Sequence, residues 1–227
     1  MVIPSRSFRL GLLLLAGMAV NGCAGGHGLV RYHATELAHQ RLDVAWFGPM
    51  LPGDAEDLVR WRRSVGPPVV VRGASRSGQT SDRLVVINWN VHVGAGNVPR
   101  LFADVRRQAG AGVPIVFLLQ EAYREGPEVP RSLGPGAIFA SAIQGLQPDG
   151  RRDEVEAVAA SLGLHAYYVP SMRNGDPLTS DEDRGNAILS TIPLDDLSAI
   201  ELPFERQRRV AIAATLGGIT RTGQPWR

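Results

Sequence analysis

The sequence predicts an α/β fold with parallel strands, and three consecutive segments carry that reading. Residues 84–90 (Leu-Val-Val-Ile-Asn-Trp-Asn) are a short apolar run rich in β-branched side chains that ends in polar ones, the pattern of a buried strand. From Asn97 the apolar residues Val98, Leu101, Phe102 and Val105 recur at i, i+3, i+4 and i+7, one face of a helix that closes near Gly110 and Gly112. Residues 115–120 (Ile-Val-Phe-Leu-Leu-Gln) are a second strand-like apolar run. Strand, helix and strand over this length predict a right-handed crossover joining parallel strands.

The helix has a defined start, because Asn97 is a good N-cap and Pro99 suits the first turn. Parallel strands would bring Asn90 and Glu121, each at a strand's carboxyl end, to one edge of one sheet. That is the edge where open α/β sheets place their ligands. A carboxylate directly after six apolar residues is costly to bury unpaired, so Glu121 needs a metal, an arginine or water. Its competing role is a rim carboxylate that pairs with Arg124 or caps the next turn.

Upstream, residues 24–83 show no single period and read as a tether and lead-in. Within them Asp54 can cap a short helix bearing Leu58, Val59 and Trp61. Pro67-Pro68 followed by Val69, Val70 and Val71 predicts an extended piece, and residues 73–81 are a Gly/Ser-rich connection. Downstream, residues 126–150 are a Gly/Pro-interrupted excursion. Residues 151–162 predict a helix through Val155, Val158, Ala159 and Leu162, closed by Gly163. Strands are expected at 165–169, 187–191 and 210–216, with a polar, acidic loop at 173–184.

The composition is that of an ordinary globular chain: 227 residues, 44% hydrophobic and 20% charged, long enough for one domain with a core. All 24 basic residues are arginine, and without Arg6 and Arg9 the remaining 22 balance 22 acidic ones. Bulk charge therefore argues only weakly for nucleic acid, although local arginine clusters can bind phosphate. Those two arginines, the apolar run 10–20 and then Asn21, Gly22 and Cys23 have the order of a signal peptide over residues 1–23. Eleven residues rising about 1.5 Å each cannot span a core of about 30 Å. Val20-Asn21-Gly22-Cys23 resembles the lipobox of bacterial lipoproteins, with an atypical asparagine at the second position, and implies lipidation at Cys23. Ordinary signal cleavage beside an incidental cysteine is the alternative. Cys23 is the only cysteine, so no disulfide can form within the chain. The expected location is the bacterial cell envelope, anchored to a membrane by lipid.

Four blocks in order resemble the endonuclease/exonuclease/phosphatase superfamily, of deoxyribonuclease-like fold. They are Ile87-Asn88-Trp89-Asn90, Leu119-Gln120-Glu121, the glycine-led strand Arg184-Gly185-Asn186-Ala187-Ile188-Leu189-Ser190, and the basic strand start Arg208-Arg209-Val210-Ala211. The resemblance covers roughly residues 84–216. It implies a four-layer α/β/β/α sandwich of two packed mixed sheets, of which only the N-terminal part is expected here, with a domain over 84–227 truncated at its C-terminus. It also implies magnesium-assisted hydrolysis of phosphate esters, manganese being a possible substitute. Glu121 takes the metal-ligand role and Asn90 the orienting amide. Mg²⁺ suits such a site, since it prefers oxygen ligands, keeps several waters and is held by one or two carboxylates. The family's Asp-x-Asn and Asp-His motifs, which supply its general base, are absent from the sequence. This stretch alone is therefore expected to be inactive.

His92 and Arg209 are further candidates for the substrate phosphate; their alternatives are a solvated loop residue and an edge-strand solubility device. His165, at a strand start, reads as structural. No P-loop, zinc spacing, dinucleotide fingerprint or nucleophile elbow is present. The expected activity is a Mg²⁺-dependent phosphodiesterase or endonuclease acting on nucleic acid or a phospholipid head group, with no protein partner implied. The alternative is a non-catalytic lipid-anchored module that keeps the same fold.

Overall fold

The computed structural model describes residues 29–31, 44–49, 52–74, 80–131, 150–176, 179–203 and 208–227. The expected signal segment, and Cys23 with it, lies outside them. Two mixed sheets pack face to face. The five-stranded sheet has the order β3 (Val69–Val71), β6 (His165–Asn174), β7 (Glu182–Ser190), β5 (Ile115–Glu125), β4 (Val85–Asn90). The four-stranded sheet runs β1 (Leu29–Arg31), β2 (Ala45–Pro49), β8 (Asp195–Glu201), β9 (Val210–Thr215). A short hairpin, β10 (Gly218–Ile219) with β11 (Pro225–Trp226), follows. Three helices are described: α1 (Pro52–Arg62), α2 (Val98–Ala109) and α3 (Val155–Leu162). None is long and apolar enough to cross a membrane.

The central expectation holds: β4 and β5 pair in parallel, from Val85 opposite Ile115 to Asn90 opposite Gln120, with α2 between them in sequence. Asn97 caps α2, its side chain accepting the Arg100 N–H at 2.9 Å. Strand alternation then sorts the side chains into two cores. Ile115, Phe117 and Leu119 of β5, with Ala166 and Tyr168 of β6 and Ala187 and Leu189 of β7, meet α2 and α3 on one face. Val116, Tyr167, Val169 and Ile188 face the other way and interlock with Trp46, Leu197, Ala199 and Val210 of the four-stranded sheet. Full burial of each such side chain contributes roughly 1.5–3 kcal/mol.

Several boundaries differ from the sequence reading. Residues 44–49 and 52–74 pack with the sheets rather than forming a tether: β2 pairs in parallel with β8, β3 pairs with the edge of β6, and α1 packs beside β2. Helix α1 begins at Pro52, two residues before Asp54, as a proline in the first turn permits. Strand β4 is not buried on both faces: it lies at a sheet edge, and Val86 is 53% exposed. The loop expected at 173–184 is shorter than that: residues 173–174 and 182–184 are strand, because β6 and β7 extend past their apolar parts and pair as far as Asn174 opposite Glu182. Paired charges make that extension tolerable: Arg152 meets Glu182 at 2.8 Å, and Asn174 donates to the same carboxylate at 2.8 Å.

Gly185 of β7 is required sterically. A Cβ there would lie 2.0 Å from the Val169 carbonyl oxygen and 2.6 Å from the Pro170 Cα, both backbone atoms of β6. Gly185→Ala is expected to destabilise the domain by about 1–3 kcal/mol or more, measured as a lower denaturant midpoint. An unchanged midpoint would show that the two strands separate freely.

Candidate active site

The site arises where the five-stranded sheet is bulged on both sides of β7. Between the pairs Leu119–Ala187 and Ala122–Gly185, β5 advances three residues while β7 advances two. Between Pro170–Gly185 and Met172–Arg184, β6 advances two residues while β7 advances one. A bulge adds one residue, bends its strand and re-aims a side chain.

On β5 that re-aiming is decisive. Ile115, Phe117 and Leu119 point to the helices, so an unbroken strand would send Glu121 after them into apolar packing. Instead Ala122 takes up the helix-facing position. Glu121, with φ of +52°, lines a cleft on the opposite side with Asn90 and Gln120. The left-handed conformation is disfavoured for any residue with a Cβ. Among the described residues four non-glycines have positive φ, and three of them, His92, Val93 and Glu121, lie at the carboxyl end of β4 or beside the β5 bulge. Strain gathered at one edge is the pattern of a functional site. Glu121→Gly is therefore expected to raise stability by about 1 kcal/mol, read from the urea midpoint. A lower midpoint would show the carboxylate to be a structural group.

The cleft encloses about 480 Å³. One wall is Asn90, Gln120 and Glu121; the floor is Ser171, Met172, Arg184, Gly185 and Asn186; the far wall is Leu202, Arg208, Arg209 and Val210. Asn186 ties the sheets together there, its amide donating to the Val210 carbonyl at 2.5 Å. Asn90 Oδ1 accepts the His92 N–H at 2.9 Å, which identifies the oxygen and leaves the NH₂ group as a donor. Gln120 Nε2 donates to Asn88 Oδ1 at 2.6 Å, steadying the wall between the two strands.

Of the candidate residues, Asn90, Glu121 and Arg209 meet in this cleft. His92 does not line it. It is exposed, and its part in the site is the backbone N–H that orients Asn90. Glu121 is half-buried, and the competing role as partner of Arg124 is ruled out, since Arg124 is buried and bonded to Asp183 through Nε at 3.1 Å and Nη2 at 2.5 Å. His165 is structural, with Nδ1 accepting the Gly73 N–H at 3.1 Å.

Two further residues were not singled out from the sequence, although both stood inside the quoted blocks. Arg208 is fully buried and bonds Glu201 at 2.6 Å and the Pro170 carbonyl at 2.8 Å, fixing the wall that carries the exposed Arg209. Arg184 lies on the floor. Burial lowers its pKa, and the nearby charge of Glu121 opposes that shift. Position within β7 could have found it: Arg184, Asn186 and Ile188 share the face turned toward the other sheet.

The oxygen atoms that could face a cation here are one carboxylate, Glu121, with amide groups beside it. Among the described residues no group of three or more His, Cys, Asp or Glu side chains gathers. Compared with protein-family models, with curated proteins and with solved structures, the chain shows no significant match.

Proposed function

We propose that the protein is a magnesium-dependent hydrolase of phosphate esters, most simply a phosphodiesterase, of the endonuclease/exonuclease/phosphatase type, with a four-layer arrangement of its sheets and helices. The observation that carries this reading is the bulge that takes Glu121 out of the apolar alternation and sets it opposite Arg209 in a cleft that also holds Asn90. A carboxylate kept in a strained conformation in one cleft with arginine side chains and an amide donor fits a centre that gathers a cation and an anion together.

In this reading Glu121 holds Mg²⁺, or Mn²⁺ in its place, which when bound polarises a phosphoryl oxygen. Asn90 donates from its amide to an anionic oxygen, and Arg209 supplies charge at the rim. The substrate is a phosphate ester, nucleic acid or phospholipid head group, and attachment to the bacterial envelope through lipid at Cys23 would confine the enzyme to the membrane surface.

The test is cleavage of bis(p-nitrophenyl) phosphate by the full-length protein. Activity is expected with Mg²⁺, to vanish in EDTA, and to fall by roughly a hundredfold or more in Glu121→Ala, since a metal supplies several kcal/mol of charge stabilisation. Metal-dependent cleavage that survives Glu121→Ala undiminished would remove that residue from the mechanism.

A further inference from the structure

We infer that Arg184 is the phosphate anchor of this cleft, a guanidinium kept without adequate partners so that an anionic oxygen can take them. The inference rests on the proposed phosphate-ester chemistry but uses a different residue and no metal.

Arg184 is only 6% exposed, and the surface it keeps is on the cleft floor. Among the described residues its side chain has a single hydrogen-bond acceptor, the Met172 sulfur, 3.4 Å from Nη2. A thioether is a weak acceptor. Nη1 is buried and has no partner among the described residues. Arg208, the other buried arginine lining the cleft, contrasts with this, since it meets Glu201 and the Pro170 carbonyl. Arg173 also has buried nitrogens without a partner among the described residues, but it does not line the cleft. Leaving a buried charged donor unmatched is costly, so such a group calls for an explanation. Glu121 provides charge nearby without a hydrogen bond. The missing partner is therefore a second anion, and a phosphoryl group fits best, because guanidinium presents parallel N–H donors that match two phosphate oxygens. Met172 is the neighbour that must move to admit it, and methionine is the most adaptable of apolar side chains. Gly185, which nothing larger can replace, keeps β7 close to β6 and so holds Arg184 on the floor.

The probe is inorganic phosphate, titrated calorimetrically into the full chain in EDTA at fixed ionic strength. Wild type is expected to bind, and Arg184→Met to bind at least roughly tenfold more weakly. Arg184→Lys, which keeps the charge but not the paired donors, is expected to fall between them. Thermal unfolding without ligand supplies a second readout. Arg184→Met is expected to melt roughly 2–4 °C higher than wild type, because an unmatched buried charge is gone. No phosphate binding by wild type, equal binding by Arg184→Met, or a lower melting temperature for that variant would each overturn the inference. Glu121→Gln removes a negative charge near the anchor and should bind phosphate in EDTA at least as tightly as wild type; a failure of the metal assignment at Glu121 would thus leave this result standing, and the reverse.

Discussion

Replacing Glu201 with alanine is expected to destabilise the domain by about 3–5 kcal/mol, seen as a large drop in urea midpoint. Glu201 at the end of β8 is fully buried and holds two arginines. Arg62 of α1 approaches it at 2.8 and 2.5 Å, and Arg208 at 3.0 and 2.6 Å. Removing the carboxylate leaves Arg208 buried and without its counter-charge, the condition that makes breaking a buried pair far worse than never having built one. The ionisation has a pH signature. Burial alone would raise the pKa of Glu201, but the charges of Arg208 and Arg62 overcome it and hold the carboxyl below the usual carboxylate range. A depressed folded pKa contributes stability that is complete above the unfolded value of about 4.3 and is lost as pH falls through the folded one. Glu182 is also held low, first by its hydrogen bond from Arg152. Acid titration of stability in wild type and in Glu201→Gln separates the two: the variant should lose the part of the acid-side slope that belongs to Glu201. Parallel pH profiles would show the triad to be energetically idle.

Asp183→Ala is expected to cost a similar amount, about 3–5 kcal/mol. Asp183 is fully buried and accepts four hydrogen bonds: from Arg124 Nε and Nη2, from the Tyr168 hydroxyl at 2.7 Å and from the Gly66 N–H at 2.8 Å. One carboxylate thus fastens β5, β6, β7 and the segment before β3. The double variant Arg124→Met with Asp183→Leu removes both charges, and part of the lost stability should return. A double variant as unstable as the sum of the singles would show the contacts to be independent.

What could be read from the sequence was local. The α2 pattern and the two apolar runs around it specify their own conformations through periodicity, capping and β-branching, and the parallel pairing of β4 with β5 follows from the crossover between them. Asn90, Glu121 and Arg209, each picked out from the sequence, line one cleft. What escaped was set by distant partners. Strand β2 is too short to announce itself and is defined by pairing with β8, and Glu201 and Arg62 are 139 residues apart. The β5 bulge is a mismatch of register against β7, which no pattern within β5 shows, so Glu121 was expected at a strand end and not inside one. Arg184 escaped because residues 173–184 read as a loop, although the alternation of Ile188 and Asn186 carried one step back puts it on the same face.

The most direct measurement is a Mg²⁺ titration of thermal unfolding, with wild type and Glu121→Gln side by side. At about ten times its Kd, Mg²⁺ should raise the wild-type melting temperature by roughly 3–6 °C and leave the glutamine variant unmoved. An equal rise in both proteins, or no rise in wild type, would contradict the assignment of Glu121 as the metal ligand.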